Sequence, residues 1–317
     1  MSYAQGGLIE ATDYNNFLGT NTSTNTSTLH AVWAWGANSR GYGQTPISNV
    51  AVSSTVTATQ WATLINTINS ANTHVNGSSS GLTANTAGQI IGFSGGLASK
   101  INGLNSDRLL FASNSAVVAG TGLAYAAWTS TTTSSTLTRS FGARATFSNG
   151  ADAARFFFNA GGRLKFNISA TSSGSTRSTA AAAVVGYLGG VALFAANTNA
   201  GRTGAGGTLG TNDTALGYYT STFNANTTVV SVTSTTASYT SDTGSIAVRP
   251  GGSQGSFNAN GDNIEFWATI NSTSGANAGS LSFDDTLNVT VTVSIDVSYP
   301  EVVNISNTWG AVTITQL

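Results

Sequence analysis

The stretch GADAARFFFNAGGRLKFNIS, residues 150–169, decides how this chain is read. Its second half alternates. Leu164, Phe166 and Ile168 fall on one face and Arg163, Lys165 and Asn167 on the other, the period of a β-strand with one side buried. Gly161-Gly162 suits a tight turn just before it, because glycine takes positive φ without a steric penalty. Phe156, Phe157 and Phe158 then read as the paired strand, with Phe156 and Phe158 on the apolar face and Phe157 pointing away. The expectation is a β-hairpin with one apolar and one cationic face, covered by another layer or another subunit. Phe156, Phe157, Phe158, Arg163 and Lys165 are thus the first candidates for a subunit interface.

The same alternation continues outward. Strands are expected at 137–148, 154–158, 163–170, 227–236, 245–249, 263–271, 286–299 and 311–316. In 286–299, Leu287, Val289, Val291, Val293, Ile295, Val297 and Tyr299 share one face, and Thr290, Thr292, Ser294, Asp296 and Ser298 the other. This is a long, half-buried antiparallel strand. In 264–270, Ile264, Phe266, Ala268 and Ile270 alternate with Glu265, Trp267 and Thr269. Such strands, separated by Gly/Asn/Ser turns, predict a mainly β protein whose C-terminal two thirds (121–317) form an antiparallel β-sandwich.

Residues 1–120 read as a small helical attachment region. Trp61, Leu64, Ile65, Ile68, Ala71 and Val75 keep the i, i+3, i+4, i+7 spacing of an amphipathic helix over 58–76, with Thr57 or Thr59 as cap and Gly77 as stop. A short helix is expected at 13–18 after Thr12, and another at 107–112 after Ser106. Residues 20–28 read as a link, and 77–103 and 197–217 as loops. The most apolar stretch, 180–196, contains three glycines and is at the short limit for a membrane span. It reads as buried core, and no membrane partner is expected.

Only 7% of the 317 residues are charged, against about 25% in an ordinary soluble protein, and the net charge is −1. A Ser/Thr/Asn/Gly surface with so little self-repulsion favours association, so a homo-oligomer is expected. With no cysteine, disulfides and thiolate metal sites are excluded. No signal peptide is read at the N-terminus.

Chemistry-bearing patterns are sparse. His30 and His74 are the only histidines, and neither accompanies a nucleophile motif. Asp262 and Asp284-Asp285 are carboxylates of the kind calcium takes, yet they also suit plain turns. No metal and no cofactor is expected. Glu265 beside Trp267 resembles a sugar contact without the paired carboxylate of a glycosidase. The thinly spread Lys and Arg argue against nucleic acid. Trp33, Trp35 and Tyr42 surround a Gly-rich loop. Trp33 and Trp35 are read first as packing anchors at a subunit contact. With Tyr42 and Trp267 they are also the candidates for stacking on a host surface glycan.

RFFFNAGGRLKF (155–166), GLIEATDYNNF (7–17), GANSRGYGQ (36–44), VTATQWATLINTINSANTHVNG (56–77) and LGYYTSTFNANTTVVSV (216–232) resemble segments of uncharacterised virion structural proteins of tailed bacteriophages, especially marine and cyanobacterial ones. The resemblance implies a non-enzymatic particle component, assembled in the host cytoplasm and partnered by other virion proteins. An attachment end followed by a β-rich part is the order of a tail-associated protein (fibre, baseplate or adaptor). A head decoration or cement protein is the alternative, and a carbohydrate-binding host-recognition module the third reading.

Overall fold

The computed structural model describes residues 10–19, 27–35, 39–89, 96–110, 114–131, 136–195, 198–254, 261–273 and 286–317. Two antiparallel sheets form a β-sandwich. The first is organised on β12 (Leu287–Pro300). Along one side of β12 run β1 (Asn114–Val118), β2 (Leu123–Ala124) and β3 (Trp128–Ser130). On the other side lie β5 (Arg163–Ser172), β6 (Gly190–Ala195) and β7 (Thr198–Arg202) in that order. The second sheet has the order β13-β4-β11-β10-β9-β8, with β4 (Leu137–Phe147), β8 (Thr208–Asn212), β9 (Thr227–Thr233), β10 (Thr243–Gly251), β11 (Asn263–Ser272) and β13 (Val312–Gln316).

The alternation places the core as expected. Phe166 of β5 and Phe266 of β11 stack across the two sheets, ring centres 5.3 Å apart and 2° from parallel. Along β12 the apolar side chains from Leu287 to Val297 are buried and the facing polar ones from Asn288 to Asp296 half-covered or exposed; at the end the pattern shifts, with Ser298 buried and Tyr299 half-buried. A full register of ten pairs joins β12 to β5, from Val289↔Ser172 to Ser298↔Arg163.

Helix α6 (Thr176–Leu188) begins the stretch expected to be core, and β6 completes it. It touches strands of both sheets. Its small side chains allow this: Ala180, Ala181, Val184, Val185 and Leu188 are all buried. A Cβ on Gly244 would lie 2.6 Å from Val184, so the strand beneath approaches as closely as glycine permits.

The N-terminal helices are α1 (Ala11–Leu18), α2 (Leu29–Trp33), α3 (Ala58–Asn76) and α4 (Leu97–Asp107). Helix α3 has the predicted bounds. The Thr57 hydroxyl accepts from the Gln60 amide, the Gln60 side chain accepts from the Thr57 amide at 2.8 Å, and Gly77 closes the end at φ 73°. Helix α1 is capped by Glu10 rather than Thr12. Helix α4 lies partly inside the stretch expected as loop, and Asp107 ends it instead of starting the expected 107–112 helix. These helices share one continuous hydrophobic core with the sandwich, from Ala11 to Trp309.

Residues 154–158 are a correction. They form a helix, α5 (Ala153–Asn159), and not the first strand of a hairpin. Ala153 and Ala154 favour helix. Gly161, at φ 97°, ends it, and the Gly162 amide donates to the Phe157 carbonyl at 2.8 Å. On a helix, successive residues are about 100° apart. Phe157 and Phe158 can therefore both turn inward, which a strand forbids.

Candidate functional site

The three phenylalanines are used inside the chain. Phe157 and Phe158 are both fully buried. Phe157 packs on Phe147 at 4.9 Å, Trp309 at 6.1 Å and Tyr299 at 6.2 Å, and Phe158 stacks on Tyr218 at 5.2 Å. A Cβ on Gly162 would lie 2.5 Å from the Phe157 ring, so the second glycine of the Gly-Gly pair makes room for an aromatic face. Phe156 is half-buried and lies on the backbone of Gly43, with the Arg155 guanidinium 4.8 Å from its ring centre. Phe157 and Phe158 therefore hold the fold together and are not presented to a second subunit.

The same junction fixes residues 39–44. Arg155 is buried; it donates to the Arg40 carbonyl at 2.9 Å and pairs with Asp152 at 3.2 Å. Asn159 donates to the carbonyls of Arg40 (2.9 Å) and Gly41 (3.0 Å) and accepts from the Tyr219 hydroxyl. Tyr42 is buried, and its hydroxyl donates to the Arg108 carbonyl at 3.0 Å. Tyr42 therefore has no face for a sugar, against the expectation. Trp33 is half-buried with Nε1 donating to the Thr45 carbonyl, and Trp35 packs edge-on to His30 at 4.6 Å.

The other expected residues lie on the outer faces of the sheets. Arg163 and Lys165 are exposed on β5, where Lys165 is opposite Asp296. Asp296 accepts from the Gly120 amide and the Asn167 side chain, each at 2.9 Å. Trp267 is half-exposed on β11 between Gly142 of β4 and Ala247 of β10. Those small neighbours let the indole lie flat: a Cβ on Gly142 would be 2.9 Å from it.

Beside Trp267 stands a cluster of three charges. Glu265 is opposite Arg144 on one side and Arg249 on the other. Both guanidiniums pair with it, Arg144 through Nε at 2.8 Å and through Nη2, and Arg249 through Nη2. The Trp267 indole adds a third donor at 3.1 Å. Burial acts to raise the Glu265 carboxyl, but hydrogen bonds from Arg144, Trp267 and Arg249, with the Arg144 charge, outweigh it and hold the group below its ordinary value. A carboxylate held this way is an ionised acceptor at neutral pH rather than a proton donor. The sequence placed Glu265 on the outer face; its arginine partners come from strands far away in the chain.

Two polar groups escaped the sequence reading. Arg177 and Asp242 are both fully buried. Arg177 donates to the Ser272 carbonyl (2.8 Å) and hydroxyl (3.0 Å), and Asp242 accepts from the Thr273 amide and hydroxyl, each at 2.7 Å. Burial raises the Asp242 carboxyl. His30 and His74 are both buried. The His30 Nε2 accepts from the Ile47 amide at 3.0 Å, and burial lowers its pKa to about 4, opposed by the Gly19 carbonyl. The His74 ring lies 3.0 Å from the Ala160 carbonyl, and burial lowers it too.

Among the described residues no group of three or more His, Cys, Asp or Glu could hold a metal ion, and no helix is long and apolar enough to cross a membrane. Asp284 and Asp285 lie outside the described residues. No protein-family model, no curated protein and no solved structure matches the chain.

Proposed function

We propose that the chain is a non-enzymatic structural subunit of a tailed phage particle, in a tail-associated position, that works by assembling with copies of itself or with neighbouring virion proteins. The particle assignment rests on the resembling segments quoted above. The assembly reading is supported by low charge and is carried by one observation. Four of the seven exposed large hydrophobics among the described residues, Val117, Val118, Val302 and Val303, lie on β1 or just beyond the end of β12, at one corner of the first sheet. There β1 starts opposite Pro300, the end of β12. Strand β1 is also an outermost strand, with backbone groups on its open side. Apolar side chains next to an open strand edge make an association site.

Light scattering tests this. The wild-type chain is expected to show a mass that is a multiple of 32.0 kDa. Val117→Lys combined with Val303→Lys, at positions 61% and 83% exposed, is expected to return the monomer mass with an unchanged circular dichroism spectrum. A wild-type chain that stays monomeric at every concentration sinks the self-assembly reading. Absence of the chain from gradient-purified particles sinks the particle assignment.

A further inference from the structure

A second arginine cluster lies where α4 meets the loop after α2. Ser27, Arg40, Asn102, Asn105, Ser106 and Arg108 line an open cavity of about 390 Å³, within the size of small-ligand sites, roughly 300–1,000 Å³. Two of the six side chains are guanidiniums, and the rest are neutral amides and hydroxyls. Of the chain's 12 acidic residues, all but Asp284 and Asp285 are among the described residues, and none of those is ion-paired to Arg40 or Arg108.

The hydrogen bonds of the two arginines differ. Arg108 donates to the Ser39 carbonyl (2.8 Å), the Ser39 hydroxyl (2.9 Å) and the Asn105 carbonyl. These bonds orient the group and leave its charge uncompensated. The Arg40 Nε is buried without a partner. Arg108 is lowered from the ordinary arginine value by burial first and then by the charge of Arg40, with Tyr42 and Tyr219 opposing. The two cations therefore sense each other.

The backbone at Arg40 and the side chain of Arg108 are both fixed. The Arg40 backbone carbonyl is held by Arg155 and Asn159. Gly41, at φ 86°, turns the chain where a Cβ would be 2.9 Å from the Ala34 carbonyl. Arg108 is pinned by its own three bonds and by the Tyr42 hydroxyl on its carbonyl. Two like charges meet at one cavity, Arg108 held by its side-chain bonds and Arg40 anchored at its backbone, with unused donors and no carboxylate paired to either among the described residues. Guanidiniums so placed match the planar oxygen pairs of an oxyanion.

We propose that this cavity binds a small oxyanion of the phosphate or sulfate class, with Arg40 and Arg108 as charged donors and Asn102, Asn105 and Ser106 as neutral ones. The anion supplies the charge that the chain lacks at this point, and it ties the loop at 39–41 to α4.

The test is thermal unfolding of the full chain against inorganic phosphate and, separately, sulfate, with ionic strength held constant by chloride. Wild type is expected to show a saturable rise in Tm. Loss of one charge-assisted contact weakens binding by about tenfold or more, so Arg40→Gln is expected to lose most of the response. Asn102→Glu, at an exposed helix position, places a carboxylate at the rim. It is expected to raise Tm in anion-free buffer and to abolish the response, which separates loss of the site from loss of the fold. Equal responses in wild type and both variants, or a saturable response in none, overturn the proposal. A response to only one of the two anions keeps it and names the ligand.

Discussion

The two arginine clusters are built in opposite ways. On the outer face of the second sheet, Arg144 and Arg249 close on Glu265, and the three charges sit on adjacent strands in direct register. At the α4 cavity, Arg108 is held by carbonyls and a hydroxyl and the Arg40 Nε has no partner, with no carboxylate among the lining residues. In a chain only 7% charged, each charge is a deliberate cost. A closed cluster uses its charges on the fold itself. An open one leaves them for something outside the chain.

The largest effect bounds that comparison from outside both clusters. Phe157→Asp puts a carboxylate into the aromatic junction that positions residues 39–44, and it is expected to cost at least about 4 kcal/mol. Urea denaturation should show a monomer that is mostly unfolded. A folded variant that merely changes its oligomeric mass would place Phe157 at a subunit contact after all.

Acid comes next. The folded-state pKa of His30 is below its ordinary 6.5, so the native state takes up its proton less readily than the unfolded chain. Stability is therefore full above about pH 6.5 and is lost as pH falls towards about 4, by at most about 3 kcal/mol. His74 acts in the same direction. Glu265 is also depressed, but as an acid it adds its loss lower, below the ordinary glutamate range. Asp242 is raised, so its contribution runs the other way and softens the acid loss. Denaturant midpoints at pH 7, 5.5 and 4.5 should fall steadily. A flat series would mean the histidines are not neutral and buried as described.

The smallest effects separate the clusters directly. Glu265→Gln leaves two guanidiniums facing each other and should destabilise by about 1–3 kcal/mol, reduced because Arg144 and Arg249 are 38% and 31% exposed. Arg40→Gln in anion-free buffer should fall within about 0.5 kcal/mol of wild type or slightly above it, since it removes a repulsion. If Arg40→Gln costs as much as Glu265→Gln, the second cluster is structural and the contrast disappears.

How much of this was legible can be judged residue by residue. Strands β4, β5, β9, β10, β11, β12 and β13 follow from alternation, as does α3 from its 3.6-residue period and its Thr57 and Gly77 ends. Helix α5 was not legible. Three adjacent phenylalanines satisfy no single period, and their helix is chosen by Phe147, Tyr218 and Trp309, which arrive from three other parts of the chain. The Trp33/Trp35/Tyr42 segment was noticed for its rings. The carbonyls of Arg40 and Gly41 carry the local architecture, while the Arg40 Nε has no partner.

The sequence by itself determined what repeats along the backbone: the buried face of each strand, the amphipathic helix, the sandwich class and the poverty of charge. These depend on neighbours two to four residues away, where geometry is fixed by the secondary structure alone. Only the tertiary structure decided which distant groups meet. It paired Glu265 with two arginines and left Arg40 and Arg108 without an acid among the described residues. Electrostatic partnership depends on distance in space, and residues far apart in the chain carry no local signal of it.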